Sequence, residues 1–485
     1  MERVKQMSIF SRKSTDVIEV SAESNRQAVA LPTRKSDGFS VSRRGFLLSA
    51  ASLGAGAFLS SCSNVNPAKV FAAPVDASAT AFPERIMLSC SSDPARALGV
   101  AWRAQFPLGK PLVQLASASA SPSLDKDART INAIAQDVFE SSSGGKAYHY
   151  AAEFTDLNPA SRYCYRVGDG STWSEWNIFQ TAEARPAPFK FIYLGDVQTD
   201  IRRQCTRVMR MAFQQASDAR FVLYAGDLVT EGYSDALWDE FSYATSVFSS
   251  MIPALPTPGN HDTHQKSEED KKRPRYCAAP AYHGHFHLPE NGPKDAPELK
   301  QEAYFVDYQG VRLISVNTNA LEDDAPAKPR DAQIAWLESV LKDNPSRWTI
   351  VTHHHPIYSV SKNRDNEFMR GLLRPLYDKY HVDLVLQGHD HAYGRTHKVA
   401  GDKVVGASEP GTVYAVSVSG PKLYEIGAKH DSLMPTLFGQ KQLYQIISID
   451  EKALTYDSFA ADGVRMDGFK LEKDEKGTST YASTI

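Results

Sequence analysis

The sequence predicts two folded units in tandem, an all-β sandwich over residues 83–183 and an α/β domain over residues 188–460. Three observations predict this. From Pro83 to Thr181, short segments of alternating apolar residues recur between turn clusters, the spacing of a sandwich. Beyond the run Arg185-Pro-Ala-Pro188, apolar strand patterns alternate with helical ones, the signature of an α/β fold. Finally, five of those strands run straight into polar motifs of Asp, Asn and His.

Length and composition set the bounds. At 485 residues the chain exceeds one average domain, and 42% hydrophobic residues suffice for large cores. A formal net charge of −3 with no basic stripe excludes an ordinary nucleic-acid binder. Five cysteines stand at 62, 90, 164, 205 and 277 with no C-x-x-C pair, which argues against a zinc knuckle or a dense disulfide framework.

Residues 1–61 read as an address. Residues 42–48 are Ser-Arg-Arg-Gly-Phe-Leu-Leu, and the apolar stretch Gly45 to Leu59 follows. It is shorter than the ~20 residues a membrane span needs, but it suits a signal-peptide core. Two arginines before such a core resemble a twin-arginine export signal, with an ordinary secretory signal as the alternative. The stretch ends Leu59-Ser60-Ser61-Cys62, which resembles a bacterial lipobox. This predicts an exported periplasmic or cell-surface lipoprotein, attached to the membrane through an acylated Cys62. Release after a small-residue site near Ala72 or Ala73 is the alternative. Residues 62–82 read as a linker, and residues 1–41 are polar and unpatterned.

Export leads to an oxidising compartment where disulfides form. Cys205, however, falls in step with Ile201, Val208 and Ala212 on an apolar helix face and reads as a buried thiol. Cys164 alternates with the inward Tyr163 and Tyr165, so a Cys90–Cys164 bridge is not expected.

In the sandwich the expected strands are 85–89, 97–103, 112–116, 148–154, 161–167 and 177–181. The run Leu157-Asn-Pro-Ala-Ser-Arg-Tyr163-Cys-Tyr165-Arg-Val resembles the tyrosine-corner segment of fibronectin type III domains, where a tyrosine ties down the preceding turn. Nothing in this unit looks chemical.

In the second unit, strand 189–194 precedes Gly195-Asp196 and strand 221–225 precedes Gly226-Asp227. Strand 254–257 precedes Gly259-Asn260-His261-Asp262, and strand 348–352 precedes His353-His354-His355-Pro356. Strand 382–386 precedes Gln387-Gly388-His389-Asp390-His391, while strand 311–316 ends at Asn317. Ligands of α/β sheets gather at the carboxyl ends of strands. Two divalent ions ~3.5–4 Å apart can polarise a phosphoryl oxygen and generate hydroxide near neutral pH. Such a centre needs carboxylates, one of them bridging, with imidazoles and an amide completing coordination; the five motifs supply that set.

The ordered set Gly-Asp, Gly-Asp, Gly-Asn-His, Val-x-x-His and Gly-His-x-His resembles the calcineurin-like metallophosphoesterases. With the N-terminal sandwich and the extension Gly388-His389-Asp390-His391-Ala392-Tyr393, the chain looks most like the bacterial purple acid phosphatases. The resemblance implies two central mixed β-sheets flanked by helices, with the site in loops at one edge. It also implies two divalent metal ions, iron, manganese or zinc. Asp196 and His391 then resemble ligands of the first, and Asn260, His354 and His389 ligands of the second. Asp227 resembles the bridging carboxylate. His261 matches a non-ligand histidine that contacts phosphate or protonates the leaving group, and His355 beside His354 is a second candidate to line the phosphate pocket.

The chain departs from the purple pattern twice. Gln198, two residues after Asp196, stands where relatives have Gly or a ligating His, and it could offer its amide oxygen to the first metal or hold that metal's water. Thr230 stands where purple enzymes have a ligating Tyr. Outside the motifs, Tyr282-His283-Gly-His285-Phe-His287 could set its histidines on one face of an extended segment, but it reads as a polar rim loop. Strands 443–449 and 453–458 return to β pattern, and residues 461–485 read as a C-terminal tail whose last dozen residues look frayed.

The expected function is hydrolysis of a small-molecule phosphate ester by metal-bound hydroxide, a monoester first and a diester second. A cell-surface binding protein on a retired phosphatase core is the rival from another class.

Overall fold

The computed structural model describes residues 82–263, 274–427 and 429–485. The export signal, the lipobox with Cys62 and nearly all of the linker lie outside them. No helix among the described residues is long and apolar enough to cross a membrane.

The sandwich forms as the alternation predicts. One face is the antiparallel set Glu84–Cys90, Leu98–Ala104 and Lys146–Phe154; the other is Arg129–Asn132, Leu112–Ser117, Arg162–Gly168 and Asn177–Gln180. Between them Trp102, Phe154, Tyr165 and Phe179 fill the core. The phenol oxygen of Tyr163 accepts the backbone N–H of Asn158 at 2.8 Å, which ties down the turn before its strand. Cys90, Cys164, Cys205 and Cys277 are all buried, and Cys205 Sγ donates to the Val197 carbonyl at 2.9 Å.

The sandwich is not a separate bead. Strand Glu84–Cys90 also pairs parallel to Ala254–Thr257 through Ser89 and Ala254, so its sheet continues into the α/β half as a single sheet of twelve strands among the described residues. The proline-rich run Arg185–Pro188 between the two units is pinned: Gln309 accepts the N–H of Glu183 and donates to the Ala187 carbonyl, both at 3.0 Å.

The α/β half faces two sheets against each other. In one, Phe189–Leu194, Val222–Ala225 and Ala254–Thr257 run parallel. In the other, Val311–Val316, Trp348–His353, Leu384–Gln387 and Val413–Val416 run parallel. These are near-continuous apolar runs because both faces are covered. Phe191, Leu223, Leu313, Ile350 and Leu386 meet between the sheets. Helices Thr206–Gln215 and Asp235–Thr245 cover the first sheet, while Ala327–Lys342 and Glu367–Lys379 cover the second. Parallel pairing puts all five motif-bearing carboxyl ends at one edge.

Two expectations are corrected. Residues 461–485 are not a frayed tail: Arg465–Lys473 and Ser479–Ser483 extend the long sheet antiparallel beyond Ala453–Ala460. They sit at its end, where one face meets water, so their residues are polar enough to imitate a tail. The histidine-rich run is neither extended nor a rim. Pro280–His285 is a short helix begun by Pro280 at its first position, and His285 is buried with its ring 4.5 Å from Trp238. The three histidines therefore do not share a face: His283 Nε2 meets Glu302 Oε1 at 3.0 Å.

Candidate metal centre

Three of the six ligand candidates leave their strands through turns that few residue types accept. Asp196, Asp227 and His389 all have left-handed backbone, with φ of 44°, 52° and 70°. Asp and His tolerate this region better than most residues, so the types able to bind metal are also the types the turns allow. The glycines beside them have no room for a side chain. A Cβ on Gly259 would lie 2.2 Å from Asp227 N and Oδ1, and one on Gly388 2.4 Å from Asp196 Oδ2. Three strained backbones in one buried cluster persist only where the surrounding packing holds them.

The side chains converge in two groups that share a carboxylate. Asp196, Asp227 and His391 bring ligand atoms within 4.8 Å of one another. In the second group, Asn260 Oδ1 lies 3.1 Å from His354 Nε2 and 3.0 Å from His389 Nδ1. Asp227 Oδ2 is 3.3 Å from His354 Nε2, so this one carboxylate reaches both groups.

The outer contacts fix each donor atom. His354 Nδ1 donates to the Ala225 carbonyl at 2.9 Å and His391 Nδ1 to the Lys422 carbonyl at 2.7 Å, which turns both Nε2 atoms inward. His354 Nε2 then faces Asn260 Oδ1 across 3.1 Å, an arrangement of acceptors that a cation satisfies. Asp196 Oδ1 is buried without a hydrogen bond. Carboxylate, imidazole and amide donors suit divalent manganese, iron or zinc, so these residues fit a two-cation group.

The electrostatics agree. Burial pushes Asp196 well above the ordinary carboxylate range. Burial would also raise Asp227, but His354 beside it outweighs that and holds it far below. In turn, burial would lower His354, yet the Asp227 and Asp196 carboxylates push it up to about 9. Asp262 sits beneath, accepting N–H groups from Leu228 at 3.0 Å, Val229 at 3.3 Å and Gly259 at 2.8 Å.

The remaining candidates fall around this cluster. His261 donates its backbone N–H to Asp227 Oδ1 at 2.8 Å, and its Nδ1 is 2.8 Å from the Thr230 carbonyl. Gln198 lies among the first-group residues, with Nε2 donating to Asp227 Oδ2 at 2.7 Å while Oε1 makes no hydrogen bond. In this orientation the amide steadies Asp227 instead of offering the expected oxygen. His355 is buried, 2.9 Å from the Thr318 hydroxyl and 3.3 Å from Glu322, with its ring 4.4 Å from that of His389. His353 turns away and stacks on Tyr377.

The profile of the calcineurin-like phosphoesterases matches residues 189–393, and that of the purple acid phosphatase N-terminal domain matches residues 83–181. The chain carries a calcineurin-like phosphoesterase domain. Its match spans all five motifs, which places the chain among the metal-dependent phosphoester hydrolases. Among curated proteins, the chain is 26% identical over 333 residues to probable purple acid phosphatase 20 of Arabidopsis thaliana, covering 63% of this chain and 72% of that one. It is 26% identical over 267 residues to acid phosphatase type 7 of Mus musculus, covering 52% and 57%. Against that second relative the chain spans little more than half its length. Purple acid phosphatase PPD1 from yellow lupin (Lupinus luteus) seeds superposes with a TM-score of 0.67 at 16% identity, over 82% of this chain and 75% of that one, and so shares the fold.

Part of the phosphoesterase site gave no sequence signal. The connection through Gly420 is stitched to the metal loops: Ser419 N–H donates to Gly195 O at 2.6 Å, Gly420 N–H to Asp196 O at 2.8 Å, and Tyr424 N–H to His391 O at 3.0 Å. Tyr424 packs 4.6 Å from the His391 ring, and Arg364 reaches the His389 carbonyl at 3.0 Å. Only the glycine of Val418-Ser419-Gly420 hinted at this, because a Cβ there would lie 2.5 Å from Asp196 O.

Proposed function

We propose that the chain hydrolyses phosphomonoesters at this centre. The observation that carries the reading is the two-group cluster joined by Asp227, with the bare Asp196 Oδ1 and inward Nε2 atoms. Two bound divalent cations would supply charge neutralisation and a hydroxide nucleophile at neutral pH. The chain's own part is to hold Asp196, Asp227, Asn260, His354, His389 and His391 in place and to exclude bulk water around them. His261 stands beside Asp227 and would hold the proton for the leaving oxygen. Metal content measured with monoester and diester turnover across pH tests the reading. Purified protein without metal and without turnover would favour a binding protein instead, and faster diester turnover would favour a phosphodiesterase.

Two further parts of the proposal concern metal identity and location. Thr230 offers a neutral hydroxyl, 3.5 Å from that of Thr199, where a tyrosinate would prefer ferric iron. Tyr393 is committed elsewhere, donating to Asp467 at 2.7 Å. We therefore expect a colourless enzyme active with divalent metals, and an intense visible band would refute this. Export through the twin-arginine signal with acylation at Cys62 predicts that Cys62→Ser moves the protein to the soluble fraction.

A further inference from the structure

Beside the second group of ligands stands a cation that metal binding does not require. Arg364 lies between strand Trp348–His353 and helix Glu367–Lys379. Its Nη1 donates to the His389 carbonyl at 3.0 Å and to Asp390 Oδ1 at 3.3 Å. Asp390 is itself fixed, since its Oδ2 accepts the N–H groups of Val360 at 2.7 Å and Ser361 at 3.1 Å. The guanidinium carbon sits 4.9 Å from the centre of the Tyr424 ring, which packs against His391. Lys422 Nζ stands 5.5 Å from the same ring.

These contacts anchor only one side of the guanidinium. Nε and Nη2 hydrogen-bond to nothing among the described residues, and the side chain keeps 34% of its surface exposed. Its contact with the His389 carbonyl puts it on the second-group side. An arginine packed on an aromatic ring with its Nε–Nη2 edge open is pre-set for bidentate contact with a phosphate.

We propose that Arg364, held in position by Asp390 and Tyr424, selects phosphomonoesters over phosphodiesters by binding a terminal phosphoryl oxygen. This rests on the phosphoesterase reading above. A monoester has three terminal oxygens and close to two negative charges at neutral pH; a diester has two and one. With two oxygens engaged at the ligand cluster, only the monoester retains one for the open edge of Arg364. In a diester that third oxygen carries a carbon substituent, which neither accepts two hydrogen bonds nor brings the second charge.

The test compares the full chain with its Arg364→Ala and Arg364→Lys variants, each checked for metal content. Turnover of 4-nitrophenyl phosphate and bis(4-nitrophenyl) phosphate is measured, and inorganic phosphate binding is followed by calorimetry. Arg364→Ala should cut monoester kcat/KM about 10–100-fold, as expected for losing a charge-assisted hydrogen bond, and weaken phosphate binding by a similar factor. Diester kcat/KM should fall several-fold less, and Arg364→Lys should restore part of the monoester rate. Equal loss on both esters, or loss of metal in the variant, would show that Arg364 merely supports His389 and would overturn the proposal. A metal-loaded wild-type protein that hydrolyses neither ester overturns the phosphoesterase reading itself, and that failure is visible before any variant is made.

Discussion

In the sandwich, strands Leu98–Ala104 and Lys146–Phe154 pair without a break from Leu98 with Phe154 to Ala104 with Tyr148, over a core of Trp102, Phe154, Tyr165 and Phe179. At the metal-bearing edge of the same long sheet, the strands are shorter and stop at residues with left-handed backbone. There the buried groups are Asp196, Asp227, Asp262 and His354 in place of aromatic rings. Both regions use the same pairing and both contain left-handed turn residues, Asp156 and Ala160 in the sandwich and Asp196 and Asp227 at the edge, but at the edge those residues also carry buried carboxylates. Burial without charge needs shape alone. Burial of carboxylates needs a partner for each, which is why the edge is dense with backbone N–H donors and imidazoles.

If that contrast is right, changes at the edge should act on metal and rate, while those in the sandwich should act on stability alone. The largest effect is expected at Asp227. Asp227→Asn removes the anion that both groups share, so metal content should fall and turnover should drop beyond the ~10–100-fold typical of outer contacts. His261→Ala should keep its metal and lose about 10²-fold in rate. The reverse pattern in metal analysis and kinetics would exchange their roles.

A glycine pair sharpens the comparison. Gly259→Ala drives a Cβ against Asp227 and should weaken metal retention by about 10–100-fold in a chelator competition. Gly109→Ala in the sandwich meets nothing within 4 Å and should change unfolding free energy by less than about 0.5 kcal/mol. A metal-replete Gly259→Ala protein would mean that the edge is softer than its contacts imply.

The last test concerns the seam between the two regions and reads stability instead of rate. His149 is buried there with its ring 5.0 Å from that of His285, and burial, reinforced by Arg103 and Arg85 against the opposing Asp235, lowers it to about 3. It stays neutral in the fold while the unfolded chain takes up a proton below its ordinary value near 6.5. Stability is therefore lost as pH falls from about 6.5 towards 3, at up to about 1.4 kcal/mol per pH unit from this group. His285, also held well below its ordinary value by burial, acts in the same direction. Acid unfolding of His149→Phe should be shallower in that window, and an unchanged slope would place the acid sensitivity elsewhere.

Much of this was legible in the amino-acid order. Strands Phe189–Leu194, Ala254–Thr257, Val311–Val316 and Leu443–Ile449 begin and end where apolar runs predict, because strands covered on both faces must be apolar throughout. The metal candidates were legible because a residue that follows a buried strand directly has few places to go. Gly195-Asp196, Gly226-Asp227 and Gly388-His389 also carry a backbone requirement that shows in the residue types. The two C-terminal strands were missed because polar residues at a sheet's end resemble a loop, and His285 because a helix of six residues has too little period to detect.

The sequence by itself determined the two-part architecture, the order of the strands that end in chemistry and the inventory of donor atoms. Only the tertiary structure decided which atoms face one another. It joined the sandwich to the catalytic sheet through Ser89 and Ala254, turned Gln198 with its nitrogen towards Asp227, and set Arg364 and Tyr424 beside His389 and His391. Strand ends are local, since periodicity and glycine spacing write them into neighbouring residues. Side-chain encounters between connections far apart in the chain depend on how two sheets pack and on which backbone groups the loops exchange, and no short stretch of sequence contains that.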